Sequence, residues 1–299
     1  MNPILSYTPE YVLRLQQIDE TCGCPGSLQR PQLVSFSWQD QVRHSAWIGC
    51  DRAAHEILCR EDAFVLHSEV AAEPGTEPLD ARQQAVNQAA INLAIVSDAA
   101  PGLILYTLGV LLSKSQQLKD AQQIEALGDE LAGLLEQGAM AEAFAQLPAV
   151  DTYKLDALRT LSRSELDASL DPLTGMTLVL KLNEINVLSP RYLQDMLRTL
   201  EQDPRLADFM RSRRSVFINA LLYTFYHQVF PGADDAGWPQ QFQRLCRHYF
   251  SLKMLCALFI QGDLPLDDDT LAAMFAAWER IPPADGCDNP LLAGISLLS

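Results

Sequence analysis

The first candidate site lies near the amino terminus, where Cys22 and Cys24 form a C-G-C-P motif. Paired thiolates bind soft metals and iron–sulfur clusters, and the glycine between them lets the backbone turn tightly. A C-x-C pair alone completes neither a zinc site nor a four-iron cluster, so further ligands must come from elsewhere. Cys50 and Cys59 lie in the same segment. The spacing alone fits ordinary reduced or buried thiols better than it fits a metal centre.

A second set of potential metal ligands lies between residues 44 and 67. Its members are His44, Cys50, His55, Cys59 and His67. His55 and Cys59 are four residues apart, which on a helix places both on one face, with Glu56 beside them. Because a thiol stands where the zinc metalloprotease pattern H-E-x-x-H has its second imidazole, metalloprotease chemistry is disfavoured. An amphipathic helix with His55 at the surface accounts for the same residues without a metal.

Other enzyme motifs are missing from the sequence. It has no G-x-S-x-G turn, no Walker A loop and no G-x-G-x-x-G after a strand, so neither a hydrolase nucleophile nor a dinucleotide site is indicated. The basic cluster MRSRR at residues 210–214 could hold a phosphate or an acidic partner, although a solvated helix start is its commoner role. Two helices rich in Tyr and Phe follow, and Asn219, His227 or Lys253 would indicate function if their side chains pointed inward.

The elements that must position these residues are helical, because apolar residues recur at spacings of three and four along most of the chain. Pro101, Pro148, Pro190 and Pro231 separate the helical stretches. Helices are predicted near 86–94 and over 102–118, 124–136, 140–147, 151–161, 172–187, 192–200, 214–230, 240–260 and 271–281. The pattern therefore predicts an all-α, multi-helix bundle of about eight to eleven helices.

The first 70 residues differ from the rest. They contain four of the seven cysteines and three of the five histidines, and we expect a small irregular Cys/His-containing segment there. Prolines and a glycine at 73–78 indicate a linker. The predicted division is a segment at 1–72, a linker at 73–80, a helical domain at 81–282 and a carboxyl-terminal tail at 283–299.

Composition narrows the classes of partner. The 299 residues are 48% hydrophobic and 20% charged, with a net charge of −16, which is typical of a globular protein and unfavourable for nucleic-acid binding. The negative net charge favours binding of positively charged partners over binding of nucleic acids. The amino terminus has no signal-peptide pattern, and the most apolar stretch, residues 101–112, is shorter than the roughly 20 residues that cross a bilayer. We therefore expect a cytoplasmic protein, not bound to membranes, with reduced thiols.

Four stretches of the sequence carry a resemblance to a known family. They are ILSYTPEYVLRL (4–15), QVRHSAWIGCDRAAHEIL (41–58), FINALLYTFYHQVFP (217–231) and HYFSLKMLCAL (248–258). Their order resembles the flagellin lysine-N-methylase family, bacterial proteins that methylate lysine side chains of flagellin with S-adenosylmethionine and have a cysteine-rich iron–sulfur region near the amino terminus. The matching positions in the two later stretches are Asn219, Tyr223, Phe230, Pro231, Tyr249 and Lys253.

The resemblance implies a cofactor site that this chain has shortened. Cys50 stands where the family has the cysteine of a Ser-x-x-Cys-Pro-Glu segment, here followed by Asp51 and Arg52 instead. The family's closely grouped cysteines are reduced to Cys22 and Cys24 within residues 19–40. Cys22, Cys24 and Cys50 are therefore the implied metal and cofactor ligands, with a further ligand from a partner, and an iron–sulfur cluster is doubtful.

Three functions remain open from the sequence. The first is lysine methylation with S-adenosylmethionine, on flagellin or another lysine-rich protein; for the base, Glu184, Tyr223 and Tyr226 are guesses. The second is a non-enzymatic helical protein that binds flagellin or another protein, which is what the missing cysteines favour. The third is a zinc-binding adaptor built from Cys22, Cys24, His44 and Cys50.

Overall fold

The described part of the first 70 residues forms a small mixed β-sheet with two helices. In the computed structural model, which describes residues 4–26, 31–73, 75–282 and 287–299, the strands are β1 (Leu5–Pro9), β2 (Leu33–Ser37), β3 (Gln41–Ala46) and β4 (Leu66–Val70). The sheet order is β2-β3-β1-β4, with β1 parallel to β3 and the other two pairs antiparallel. Helix α1 (Glu10–Gln16) follows β1, and helix α2 (Asp51–Leu58) follows β3.

Twelve further helices make up the rest of the described chain. They are α3 (Ala81–Val96), α4 (Pro101–Ser115), α5 (Ala121–Glu136), α6 (Ala139–Ala145), α7 (Asp151–Arg163), α8 (Pro172–Val187), α9 (Pro190–Glu201), α10 (Pro204–Ser212), α11 (Arg214–His227), α12 (Trp238–Gln261), α13 (Asp268–Glu279) and α14 (Pro290–Ser296). Asp80, Asp171 and Asp267 cap helices through their carboxylates, which accept first-turn N–H groups. Gly138, with φ of 84°, ends α5 in the left-handed conformation that glycine tolerates.

The prediction of a mostly helical bundle is confirmed, with 62% of the residues in helices. The number of helices was underestimated: the described residues contain 14, and the additional ones are short. The sheet was not predicted either, and the segment that we expected to be irregular is regular. Strand β3 lacks alternation because polar residues such as Arg43 and Ser45 are buried along with Val42 and Ala46.

The central element of the core is α12, the longest helix. Its Phe242 ring lies between two glycines, Gly109 of α4 and Gly294 of α14. A Cβ at either position would come within 2.8 Å of that ring. The close approach of three helices at this point therefore depends on the absence of side chains. Helix α4, which contains the most apolar stretch of the sequence, is largely buried. In the described ranges no helix is long and apolar enough to span a membrane.

The predicted division of the chain stays a prediction. Residues 74 and 283–286, at the predicted linker and at the start of the predicted tail, lie outside the described residues. The segment packs on the helical body through α2, which contacts α13 and α11. The tail also packs on the body, where α14 contacts α12 and buries Ala293, Leu297 and Leu298.

Candidate functional site

One face of α11 holds the N-terminal segment through polar side chains. Asn219 donates to the carbonyls of Leu58 (3.1 Å) and Arg60 (2.9 Å). The Tyr223 hydroxyl accepts the Ile48 N–H at 3.1 Å, and the Tyr226 hydroxyl donates to the Tyr7 carbonyl at 2.9 Å. Positions 219, 223 and 226 are spaced by four and three, so they share one side of the helix.

A buried chain of hydrogen bonds continues from this face into the sheet. The His227 Nδ1 lies 2.8 Å from the Ser45 hydroxyl, which lies 2.7 Å from the Tyr11 hydroxyl. Burial lowers the pKa of His227 to about 4, so the imidazole is neutral. The His227 ring also stacks on Tyr223 at 4.7 Å between centroids. The inward Asn219 and His227 side chains thus position the segment.

The three implied cysteine ligands are brought together by this docking. Cys22 and Cys24 come from the loop after α1, and Cys50 precedes α2 as its N-cap residue. Their sulfur atoms all lie within 4.8 Å of one another, and Cys24 Sγ is 3.7 Å from Cys50 Sγ. Like the other four cysteines, they are free thiols. The structure therefore brings the three cysteines together, and that they bind a metal or cofactor stays a prediction.

Two arginines hold the cysteine loop against the start of α2. Arg52 donates to the Glu20 carbonyl at 2.7 Å, and Arg280, which follows α13, donates to the Gly49 carbonyl at 2.7 Å. Gly26 packs so closely on Gly49 that a Cβ would meet the Gly49 carbonyl oxygen at 1.8 Å. The cysteine loop is thus connected to the end of α13.

The thiols of Cys22 and Cys24 differ in pKa. Burial raises the pKa of Cys22, but hydrogen bonds from the backbone of Cys24 and Arg52 outweigh it, so the pKa is lowered overall. Burial together with neighbouring Cys22, Asp51 and Cys50 raises the pKa of Cys24 to about 12. The first-turn N–H groups of α2, among them that of Arg52, and the dipole of this helix favour the thiolate form of Cys22. Three sulfur ligands fit three positions of a tetrahedral zinc site or a four-iron cluster, and a fourth ligand must come from a bound molecule or partner.

A polar cavity of about 260 Å³ lies on the other side of the α13 end. It is bounded by α7, α11, α12 and the end of α13. Its polar wall includes Arg244, Arg247, His248, Ser251 and Glu279, and Trp278 and Phe230 supply aromatic surface. The side-chain atoms Arg247 Nε and Ser251 Oγ are buried without a hydrogen-bond partner. Such unpaired polar atoms on a cavity wall indicate a site for a polar ligand.

Glu279 and His248 give the cavity acid–base capacity. Burial raises the pKa of Glu279 to about 7. Within the described part of the chain no cationic side chain forms an ion pair with this carboxylate. Burial lowers the pKa of His248 to about 4, so its imidazole is neutral near pH 7. A carboxyl group that titrates near neutrality can take a proton from a substrate ammonium.

The two sites are joined by consecutive residues. Glu279 lines the cavity, while Arg280 reaches the Gly49 carbonyl beside Cys50. Tyr223 of α11 links the two sites, because its hydroxyl binds the Ile48 N–H near the cysteines while Glu279 of the cavity acts on it electrostatically. Burial raises the pKa of Tyr223, and the negative charge of Glu279 raises it further. The cysteine group and the cavity are therefore linked through Glu279, Arg280 and Tyr223, and every residue that lines the cavity belongs to the helical body.

Several predicted site residues lie elsewhere. His44 contacts Ser35, with 2.7 Å between Nδ1 and the hydroxyl, and His67 Nε2 lies 2.7 Å from a Glu10 carboxylate oxygen. The five-residue set therefore does not form one site, and the zinc site with His44 is not assembled. His55 and Cys59 do share a face of α2.

The guesses for a base are not supported by the geometry. Glu184 is exposed on α8, and Tyr223 and Tyr226 are occupied by hydrogen bonds to the segment. Burial raises the pKa of both tyrosines, which keeps them protonated. Lys253 is outside the cavity; burial lowers its pKa, and the charge of nearby Glu201 opposes this. The sequence analysis missed Glu279, since no motif surrounds it and only the packing of α13 buries it.

The basic cluster at 210–214 is used within the chain. Arg214 donates to the carbonyls of Ala99 (2.9 Å) and Ser97 (2.5 Å). Arg213 Nη1 lies 2.7 Å from an Asp268 oxygen, and Arg211 Nη1 lies 3.1 Å from Asp208. These contacts favour a structural role over phosphate binding.

Comparison with known proteins gives one match. The model of the FliB lysine N-methylase C-terminal domain matches residues 88–281, which is more than half of the chain. The matched region includes α11, α12, α13 and every residue that we described on the cavity wall. No significant match was found among curated proteins or solved structures.

Proposed function

The chain belongs to the flagellin lysine N-methylase family, and we propose that it methylates lysine side chains of a protein substrate with S-adenosylmethionine, flagellin being the expected substrate. The observation that carries this proposal is the polar cavity in the family-matched region, whose buried carboxyl group, Glu279, has its pKa raised to about 7. Lysine methylation requires a neutral amine, and this group is suited to produce one.

Glu279 acts as the proton acceptor in this proposal. A lysine ammonium that enters the cavity loses solvent, which lowers its pKa, and its charge favours the ionised form of Glu279. The proton passes to a Glu279 carboxylate oxygen, and the lone pair of the neutral nitrogen becomes available to form the N–C bond. Neutral His248 beside it adds no competing positive charge.

The cavity wall fits the polar parts of S-adenosylmethionine. When bound, this cofactor supplies an electrophilic methyl group on a sulfonium, whose C–S bond breaks as the N–C bond forms. Arg244 and Arg247 would hold its carboxylate, using the unpaired Arg247 Nε, and Trp278 would stack on its adenine. The volume of about 260 Å³ is just below the roughly 300 Å³ at which small-molecule pockets begin. The cavity therefore accommodates part of the cofactor.

Cys22, Cys24 and Cys50 would hold three irons of a four-iron cluster beside this cavity. A cluster with three protein ligands offers one open iron to a substrate or cofactor group. The shortened cysteine set is the observation that favours the second candidate function, a non-enzymatic protein that binds flagellin or another lysine-rich partner. For either function, the net charge of −16 would speed encounter with a lysine-rich surface.

The test compares two Glu-to-Gln variants of the full chain, purified without oxygen. Methylation of flagellin and of a lysine-rich peptide is followed by mass spectrometry, with iron, sulfide and S-adenosylmethionine binding measured on the same samples. Glu279→Gln should lower kcat by about 100- to 10,000-fold, the usual contribution of a general base. Glu184→Gln, the same change on the exposed face of α8, should leave the rate unchanged.

The other possible results distinguish the methylase from the binding protein, and the iron–sulfur cluster from a zinc site. A wild-type chain that binds flagellin but neither binds S-adenosylmethionine nor methylates lysine supports the binding protein and overturns the enzyme. Full activity in Glu279→Gln would remove Glu279 as the base while leaving methylation standing. Zinc at one equivalent on the cysteines, without iron, would argue against the cluster.

A further inference from the structure

A second group of potential metal ligands lies at the opposite end of α2 from the cysteine loop. His55 lies in the last turn of α2, Cys59 is the residue that caps the end of this helix, and Asp268 comes from the first turn of α13. Their ligand atoms all lie within 4.8 Å of one another. Asp268 is more than 200 positions from the other two residues in sequence, and the packing of α2 on α13 brings the three together.

We propose that His55, Cys59 and Asp268 bind a divalent transition-metal ion, with zinc as the best fit, which fastens the N-terminal segment to the helical body. The proposal is independent of the methylation chemistry. An imidazole, a thiolate and a carboxylate are the three ligand types that zinc takes in proteins, and three protein ligands leave a fourth position for water. Calcium and magnesium prefer oxygen ligands alone.

The surroundings of the group favour a cation. Asp269 and Glu56 add carboxylates: Asp269 Oδ1 is 3.9 Å from His55 Nε2, and Glu56 Oε1 is 3.8 Å from His55 Nδ1. Whichever ring nitrogen binds the metal, the other therefore has a carboxylate near it, as outer-shell partners of metal-bound histidines commonly are.

Two guanidinium groups oppose the ion: Arg14, whose Nε lies 2.6 Å from Glu56 Oε2, and Arg213. Arg213 Nη1 lies 2.7 Å from Asp268 Oδ1. A carboxylate has two oxygens, so Asp268 can bind the metal with one and keep Arg213 on the other, which would orient it in the way outer-shell hydrogen bonds do. The three nearby carboxylates, those of Asp268, Asp269 and Glu56, outnumber the two guanidinium groups by one, which leaves a net negative charge at the site for a dication.

The ion would have a structural effect. It would link the end of α2 to the start of α13. Asn219 of α11 binds the same end of α2, because it donates to the Leu58 and Arg60 carbonyls. Ligands that come from distant parts of the chain stabilise the folded state because the site does not exist in the unfolded chain.

The test uses the full chain carrying Cys22→Ser and Cys24→Ser, which removes the other thiol group. This metal-depleted background is titrated with zinc, and with cobalt to detect thiolate-to-metal charge transfer. We expect one equivalent of bound zinc, the thiolate-to-cobalt band, and an unfolding temperature that rises with zinc and not with magnesium. Adding Cys287→Ser, a matched thiol change away from both groups, should alter none of these results.

Two variants decide the outcome. Adding Cys59→Ser should abolish the cobalt band and weaken zinc binding by more than the roughly 10- to 100-fold that loss of an outer-shell partner costs. His55→Gln, at a partly exposed position that the fold tolerates, should weaken zinc binding similarly and serves if Cys59→Ser fails to fold. Absence of zinc binding in the background, or binding that neither change reduces, would overturn the proposal.

Discussion

The N-terminal segment and the helical body are stabilised in different ways. The body packs apolar helix faces around α12, where Trp238, Phe242, Phe250 and Phe259 are fully buried. The segment also buries apolar residues in this core, among them Ile57 and Leu58 of α2, but it is held in addition by hydrogen bonds from polar side chains of α11 to its backbone and to Ser45. Apolar packing stabilises in proportion to the area buried, whereas each hydrogen bond contributes about 0.5–1.5 kcal/mol net. We therefore expect the docking of the segment, more than the packing of the body, to depend on individual hydrogen bonds.

This difference bears on the chemistry because the candidate site lies where the two regions meet. The segment contributes the cysteines and the body contributes the cavity. Glu279 lines the cavity, and Arg280 donates to the Gly49 carbonyl next to Cys50. A site built this way depends on docking as well as on folding. Variants that separate these two dependences are the most informative.

The largest effect on stability is expected from the core of the body. Phe242→Ala removes a fully buried ring that fills the space between Gly109 and Gly294, and should lower the free energy of unfolding by about 3–5 kcal/mol. Phe36→Ala is the matched change in the segment, where the ring is half-buried against Trp38 and His227; it should cost clearly less. Denaturant unfolding measures both. Equal losses would contradict the difference between the regions.

The next effect concerns the cavity and depends on pH. Burial raises the pKa of Glu279 to about 7, so its protonated form is favoured in the folded state. Its contribution to stability is present below pH 4.5 and is lost as the pH rises through 7. Glu279→Gln should therefore increase stability at pH 8 by about 1–3 kcal/mol after solvent screening, with little change at pH 4. A Glu184→Gln control should show no such dependence, and a pH-independent gain in Glu279→Gln would refute the assigned shift.

Docking is tested at the α2 end of α11. Asn219→Ala leaves the Leu58 and Arg60 carbonyls without their donor, and an unpaired buried group costs about 1–3 kcal/mol. We expect the loss to appear as local opening, so that Cys50 and Cys59 react faster with an alkylating reagent while unfolding of the body changes little. Peptide mass spectrometry locates the label, and Cys246, buried in α12, is the internal control. Faster labelling of Cys246 to the same extent would show global unfolding.

The same contrast explains what the sequence could predict. Helix α8 was predicted at its observed bounds, 172–187, because a proline starts it and apolar spacing continues to its end. The three cysteines were predicted as one group from the family resemblance. The sheet was not predicted, since β3 buries Arg43 and Ser45 through partners distant in sequence, Asn87 and Tyr11. Glu279 was missed for a related reason: its buried environment is formed by tertiary packing, and local patterns do not record it.

The smallest effect should come from Tyr226, where two substitutions separate a hydrogen bond from ring packing. Tyr226→Phe removes the hydroxyl that donates to the Tyr7 carbonyl and keeps the ring that faces Arg43, 5.4 Å from the guanidinium carbon. Tyr226→Phe should lower the free energy of unfolding by about 0.5–1.5 kcal/mol. Tyr226→Leu also removes the cation–π contact, which adds roughly 0.5–2 kcal/mol at a partly desolvated site. Denaturant unfolding and Cys50 labelling follow both variants. If Tyr226→Phe were neutral and Tyr226→Leu carried the whole loss, ring packing rather than hydrogen bonding would hold the segment here, and the contrast between the two regions would be smaller than the contacts of α11 indicate.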